Sequence, residues 1–290
     1  GSYRLRGRAG SLRIASIGQY RQHPSMAKAL GEVDVYSYHD INALTKDEDG
    51  CFDVRLCPDR PEGYKGDWWP LHPGTHALVL RQVASDWCGE RDPMLSIERT
   101  DIAVRRPRPA AALLRERLDR VASSTANTAL LLIDHVSGLR DEGYVNRFKI
   151  WDTLMKNGGL AGQFYYEAVY DLGEDDALII ETKVPEQYGY YSMILTNQIF
   201  ETTDWANNHS SLNDSQIQID SDGLLRIVVS QQDPGVPNWM DIAGYPIGVI
   251  QGRWADCSEQ PLPTVARVKI ADVRNALPAD TPRVDPATRE

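Results

Sequence analysis

The chain reads as a mainly β protein with a helical insertion, an antiparallel β-sandwich of jelly-roll type built from two related halves. Three observations predict this. Short runs alternating apolar and polar residues, bounded by Gly, Pro, Asn and Asp, fill both ends of the chain. Helical spacing replaces them in the middle. The same order of turn, strand, Pro-rich loop and tryptophan then occurs twice.

In order, the residues from Tyr3 to Gln19 alternate apolar and basic, with glycine at the break, and predict a hairpin of two half-buried strands. Val33 to His39 alternates again. Asp47 to Gly50 (D-E-D-G) supplies a turn in which Gly takes positive φ before the strand C-F-D-V-R-L. D-W-W-P-L at Asp67 to Leu71, the run His76 to Val83 and the run Met94 to Arg99 complete the first set. Behind Pro107 and Pro109, Leu114, Leu118 and Val121 recur at helical spacing. Ser123, Ser124 and Thr125 offer a break and a fresh N-cap. Ala129, Leu132, Ile133 and Val136 mark a second helix, and Tyr144, Phe148, Trp151 and Met155 a third that Gly158 and Gly159 end. Strand patterns return after Asp176, with a second tight turn, D-S-D-G, at Asp220 to Gly223. Residues after Leu277 lack periodicity and predict a loosely held tail.

Side by side, Gly50 pairs with Gly223, Trp68 or Trp69 with Trp239, and Arg81 with Arg253. Leu5 precedes Gly50 by the same spacing as Leu178 precedes Gly223, the mark of an internal repeat. The expected organisation is a first β repeat at 1–106, a helical insertion at 107–159, a second β repeat at 160–277 and a flexible tail at 278–290.

With 290 residues and 42% hydrophobic composition, the chain can bury a sizeable core. A net charge of −10 argues against nucleic acid and anionic membranes as partners. The four cysteines form no C-x-x-C pair and have no histidine at zinc-ligand spacing, so reduced thiols in a cytoplasmic protein are expected. No apolar run approaches the ~20 residues that span a bilayer, and no signal peptide is visible. Gly1-Ser2 reads as a cloning remnant, so the natural chain is expected to begin earlier. No G-x-x-x-x-G-K-[ST], no strand-linked G-x-G-x-x-G and no G-x-S-x-G is present, so no cofactor is expected. The expected partner is a small organic molecule; a homo-oligomer stays open.

The order A-L-I-I-E…V-P…Y-Y-S-M-I-L…D-W…S-L-N…D-G…D-P-G-V-P-N-W-M…G-R-W, from Asp176 to Ile270, resembles the domain-of-unknown-function family twelve-fourteen. Its members look like β-sandwich proteins with S-L-N, D-G, P-x-x-x-N-W and R-W or R-Y signatures. The resemblance implies a fold and no catalytic role. It places motif positions at Asn213, Gly223, Pro234, Asn238, Trp239 and Arg253, with N-W-M where N-W-L or N-W-P is expected.

The richest polar stretch runs from Phe200 to Trp254. His209 beside Asp204 has the composition of a general base and its orienting acid, because imidazole titrates near neutral pH. Asn208 and Asn213 would orient a ligand by hydrogen bonds. Asn238 is a further ligand contact, Trp239 a flat apolar wall, and Arg253 a fork for carboxylate or carbonyl oxygen. A structural role for Asn238, Trp239 and Arg253 competes, since Trp69 and Arg81 stand at equivalent places in the first half. Arg253 would then pair with Asp233 or Asp241. The segment from Asp204 to His209 has no equally polar counterpart where Gln22 to Met26 falls, and asymmetry favours function. Glu167 and Glu181 are acid or base candidates if they point inward. The expected function is cofactor-free acid–base chemistry, as in hydration, elimination, isomerisation or hydrolysis, on a partly apolar, oxygen-bearing compound. The alternative is a glycan- or lipid-binding module without turnover.

Overall fold

Alternation at period two puts one side of each strand into a core, and two sheets that each carry an apolar side bury them together. The computed structural model describes residues 1–21, 35–103, 108–151, 162–285, 287 and 289. These fall into two units, Gly1–Thr128 and, from Ala129 onward, the remainder. The protein is mostly β, with several antiparallel sheets and one helical insertion. Gln22 to Met26, Val33, Met155 and the glycines Gly158 and Gly159 lie outside the described residues.

In the first unit, β1 (Tyr3–Arg8), β4 (Cys51–Cys57), β5 (Asp67–Pro70) and β7 (Met94–Arg99) form one sheet in the order β5-β4-β1-β7. A second sheet, β3-β2-β6, joins Val35–Asp40, Ile14–Tyr20 and Ala77–Val83. Among the described residues of this unit, the β4–β5 pairing alone is parallel. Leu5, Phe52, Val54 and Leu56 from one sheet meet Ala15 and Ile17 from the other. The hairpin expected from Tyr3 to Gln19 is not one: β1 and β2 are both strands, but each joins a different sheet. At Gly10 the backbone passes so close to the carbonyl of Arg91 that a Cβ would lie 1.9 Å from its oxygen, and there the chain changes sheet.

In the second unit, β10 (Asp176–Lys183), β13 (Leu224–Ser230), β14 (Trp239–Asp241) and β16 (Thr264–Lys269) run in the order β14-β13-β10-β16, again with one parallel pair, β13–β14. The facing sheet is β12-β11-β15-β9-β8, made of Ser211–Asn213, Tyr190–Asn197, Ile247–Ala255, Gln163–Asp171 and Lys149–Ile150. Phe164, Tyr166, Leu178, Ile180, Tyr191, Met193, Ile227 and Trp254 fill the space between them.

The three helices expected in the middle are one, α1 (Ala111–Asp141), followed by a turn and β8. The predicted break fails because the hydroxyls of Ser123 and Thr128 donate to the carbonyls of Arg120 and Ser124 one turn back, at 3.0 Å each, and leave the helix intact. Gly143, at φ +81°, ends it. The aromatic pattern after it belongs to a buried turn: Phe148 joins the core and Trp151 is 6% exposed. The residues after Leu277 are anchored rather than loose. Beyond the short helix α2 (Val273–Ala276), Val284 N–H donates to Gly235 O at 3.0 Å, and the Arg289 guanidinium grips Asp233 at 2.7 and 2.9 Å. No helix among the described residues is long and apolar enough to cross a membrane.

Candidate functional site

Strand β9 is buried on both sides. Phe164, Tyr166, Ala168 and Tyr170 point into the sandwich, while Gln163, Tyr165, Glu167 and Val169 take the opposite face and are also at most 3% exposed. The second face is covered because the last turns of α1 lie on it: Val136 and Leu139 pack on Val169 and Val249, with Tyr144 and Phe200 beside them. An outward sheet face that is covered yet carries Gln, Glu and Tyr needs partners for its polar atoms.

Glu167 has one such partner. Its Oε2 lies 2.9 Å from Nε2 of His135 on α1, while its Oε1 is buried with no partner among the described residues. Burial raises the Glu167 carboxyl above the usual carboxylate range, against a weaker downward pull from His135. The His135 ring stacks on Trp151 at 4.9 Å and meets Phe200 edge-on at 6.1 Å, which fixes its plane.

Across the sheet, Arg253 on β15 stands opposite Tyr165 of β9 and Ser192 of β11. Its Nε donates to Ser192 Oγ at 3.0 Å and its guanidinium lies 4.9 Å from the centre of the Tyr190 ring. Gln163, one step along the same face of β9, is 1% exposed and neither amide atom has a hydrogen-bond partner. A buried carboxyl raised above its ordinary range, a guanidinium between two phenols and an unanswered amide therefore share one face of one sheet.

The pair expected from adjacency, His209 and Asp204, is not brought together. Asp204, at φ +56°, is exposed; its carboxylate accepts from Asn207 at 2.7 Å, and its carbonyl closes the turn on Asn207 and Asn208. Asn208 spends its amide on the carbonyls of Thr203 and Asp204. The carboxylate that feels His209 is Asp241, raised by burial and lowered by the Ala243 N–H and by His209. His209 otherwise lies 6.1 Å from the Trp239 ring. Asn213 holds the turn after β12 by accepting from Ser215. Asn238 is 6% exposed and clamps its own loop, donating to Gln218 O and Arg226 O and accepting from Gln218 N–H. Trp239 is a packing residue whose Nε1 donates to Ser230 Oγ at 3.0 Å. Glu181 pairs with Arg226 at 2.7 Å. Of the residues read from the sequence, Arg253 and Glu167 sit on the covered face. Arg253 pairs with neither Asp233, which Arg289 holds, nor Asp241.

The sequence reading missed His135, Tyr165, Gln163, Tyr190 and Ser192. For His135 a signal existed: a histidine stands on the apolar seam Leu132, Val136, Leu139 of a helix, where a bare imidazole needs a partner.

A groove of about 960 Å³ lies in the first unit, lined by Arg6, Lys46, Lys65, Asp47, Asp53 and Asp67 among others. Its acids are occupied. Asp53 is held low by Arg4, Asp67 accepts from Thr45 N–H at 2.7 Å, and Asp47 caps its own turn, so each of these acids already serves a local contact. Size alone does not make it the better site. Among the described residues no three His, Cys, Asp or Glu side chains are placed to share a metal ion.

The model of the family described as "Protein of unknown function (DUF1214)" matches residues 2–86, which is the family that the sequence resembles. The match covers β1 to β6 and ends before the S-L-N to G-R-W signatures. A solved structure of an uncharacterized protein from Burkholderia cenocepacia has 27% sequence identity and a TM-score of 0.83, covering 94% of this chain and 74% of that one. The VPA0106 protein from Vibrio parahaemolyticus has 12% identity and a TM-score of 0.48, over 92% of this chain and 86% of that one. No curated protein matches.

Proposed function

We propose that the second unit acts on a small, partly apolar, oxygen-bearing organic compound by acid–base chemistry, with Glu167 as the group that carries the proton. The observation that carries this reading is the state of its carboxyl: one oxygen fixed by His135, the other buried without a partner, and burial favouring the neutral form. Burial of this kind favours a carboxyl that holds its proton to higher pH than a solvated one, as the proton transfers of hydration, elimination, isomerisation and hydrolysis require. His135 is the positioning residue. Trp151 and Phe200 supply an apolar border, and Arg253 a polar anchor for oxygen.

The test is turnover of a set of small oxygenated compounds by the full chain, followed by proton NMR. Glu167→Gln should lower the rate about 10²- to 10⁴-fold with the circular dichroism spectrum unchanged. Wild-type turnover in that variant removes the proposal. No turnover by the wild type, with binding retained, would favour the non-catalytic module.

The same carboxyl predicts a pH signature. Its folded-state pKa is raised above the ordinary 4.5, so its contribution to stability is complete below that value and is lost as pH climbs through the folded pKa. Glu167→Gln cannot ionise, so it should gain stability relative to the wild type across that window. Denaturation midpoints that keep a constant gap between about pH 4 and about pH 8 would contradict it.

We also infer that the two units are copies of one seven-strand plan, β1–β7 and β10–β16. Matching strand order and pairing sense in their four-stranded sheets support it. So do the D-x-D-G turns, closed by Gly50 N–H to Asp47 O and by Gly223 N–H to Asp220 O. Trp68 and Trp239 each pair with the strand beside them and bond its end, at Cys57 O and Ser230 Oγ.

A further inference from the structure

Building on the reading of Glu167 as the proton carrier, we propose that the compound it acts on is a monocarboxylate and that Arg253, with Gln163 beside it, is the residue pair that receives the carboxylate.

Three other arginines of this unit are held by acids, while Arg274 bonds the carbonyls of Thr281 and Pro282 and Arg147 lies over the Tyr144 ring. Arg226 meets Glu181, Asp220 and Asp222, Arg267 meets Asp176, and Arg289 meets Asp233. Arg253 is partly buried, yet among the described residues no carboxylate pairs with it. Its neighbours are Ser192 Oγ and the phenols of Tyr165 and Tyr190, all neutral. Ser192 accepts from Nε and the Tyr165 and Tyr190 phenols bond the guanidinium as well, so every group it meets is uncharged. Such a cation, partly removed from water, gains from an anion far more than a solvated one does.

Gln163 is the second, independent observation. It is 1% exposed and unpartnered at both amide atoms, a cost of about 1–3 kcal/mol per group that an apolar side chain would avoid. On β9 it occupies the same face as Tyr165, the residue directly opposite Arg253, and stands opposite Ala255. A carboxylate on the Nη edge could take a further hydrogen bond from the Gln163 amide.

Charge and spacing set the class. The nearby Lys149, opposite Glu167, is already paired with Glu142, so one guanidinium is left to match a single negative charge, and its planar fork matches a carboxylate. Glu167 lies two residues from Tyr165 along β9, about 7 Å at ordinary strand rise. A carboxylate seated on Arg253 therefore brings the carbon next to it, or the one beyond, toward Glu167.

The experiment titrates acetate, propanoate and benzoate into the full chain by calorimetry, against acetamide, propanamide and benzamide as uncharged partners. At least one carboxylate should bind the wild type at least tenfold more tightly than its amide. Arg253→Gln should weaken it by about 10- to 100-fold, and Arg253→Lys less. Should Arg253→Gln fail to fold, Gln163→Leu serves. It removes an unsatisfied amide, should fold at least as stably, and should weaken the carboxylate about 3- to 10-fold. Glu167→Gln should still bind it, so loss of turnover with retained binding separates this proposal from the one it rests on. No binding by any of the three carboxylates, equal binding of acid and amide, or undiminished affinity in the folded Arg253 or Gln163 variant would each overturn it.

Discussion

The two units pair a serine with an arginine at the same place in their sheets and use the pair differently. In the first, Ser16 of β2 stands opposite Arg81 of β6; in the second, Ser192 of β11 stands opposite Arg253 of β15. Among the described residues the first sheet stops at β6, so Arg81 faces no further strand and its nearest polar contact is Tyr20 Oη at 3.5 Å, while Ser16 Oγ is buried without a partner. The second sheet continues into β9 and β8, and α1 closes over them. Those additions put Tyr165, Gln163 and Glu167 beside Arg253. On the proposed reading the corresponding strands act as a frame, and the proposed chemistry lies in what, among the described residues, the second unit adds to it.

The largest effect should separate the cores. Where β15 buries Trp254 completely against Tyr188 and Tyr191, register places Gln82 at the matching point of β6, exposed and bonded to Asp92 at 3.0 Å. Trp254→Ala should cost about 3–5 kcal/mol by the loss of a large core side chain, and Gln82→Ala under about 0.5 kcal/mol. Native-state hydrogen exchange read at β11 and at β2 checks both. A Trp254→Ala variant as stable as the wild type would mean that the second core is not built as described.

The next effect concerns charge at the matching strand pairs. Arg226 is 11% exposed and shared among Glu181, Asp220 and Asp222, of which Asp220 is 12% exposed. Arg226→Ala leaves that acid buried without its cation and should cost about 1–3 kcal/mol, reduced because the other two acids are nearly half exposed. Arg4, which bonds Asp53 in the first unit, is 42% exposed, and Arg4→Ala should leave stability close to unchanged. Equal losses from the two substitutions would show that burial is not what distinguishes them.

Much of the frame was legible because it is local. Period-two alternation located the strands, and D-E-D-G and D-S-D-G located their turns. The site was legible only in part. Arg253 and Glu167 are chemically suggestive by themselves, but what they stand beside depends on register: Arg253 meets Ser192 and Tyr165 across strands far apart in the chain. No local pattern encodes that. Adjacency misled at Asp204 and His209, since a short polar loop satisfies its own backbone first, and Asp204 turns to Asn207 and Asn208. The single helix was hidden because serine and threonine both start helices and ride inside them, and the hydroxyl's partner decides which.

The smallest effect is the sharpest test of common descent between the units. Gly50 has φ +77° and Gly223 φ +82°, and a Cβ at either would meet nothing within 4 Å. Alanine at each position therefore costs only the backbone term for a left-handed conformation, about 1 kcal/mol, with no clash to blur it. Turns of one origin should give the same loss within about 0.5 kcal/mol, read from exchange at β4 for Gly50→Ala and at β13 for Gly223→Ala. A clear difference would mean that the turns share a sequence pattern and an angle but sit in differently stable strand pairs. The correspondence between the units would then be topological without being energetic.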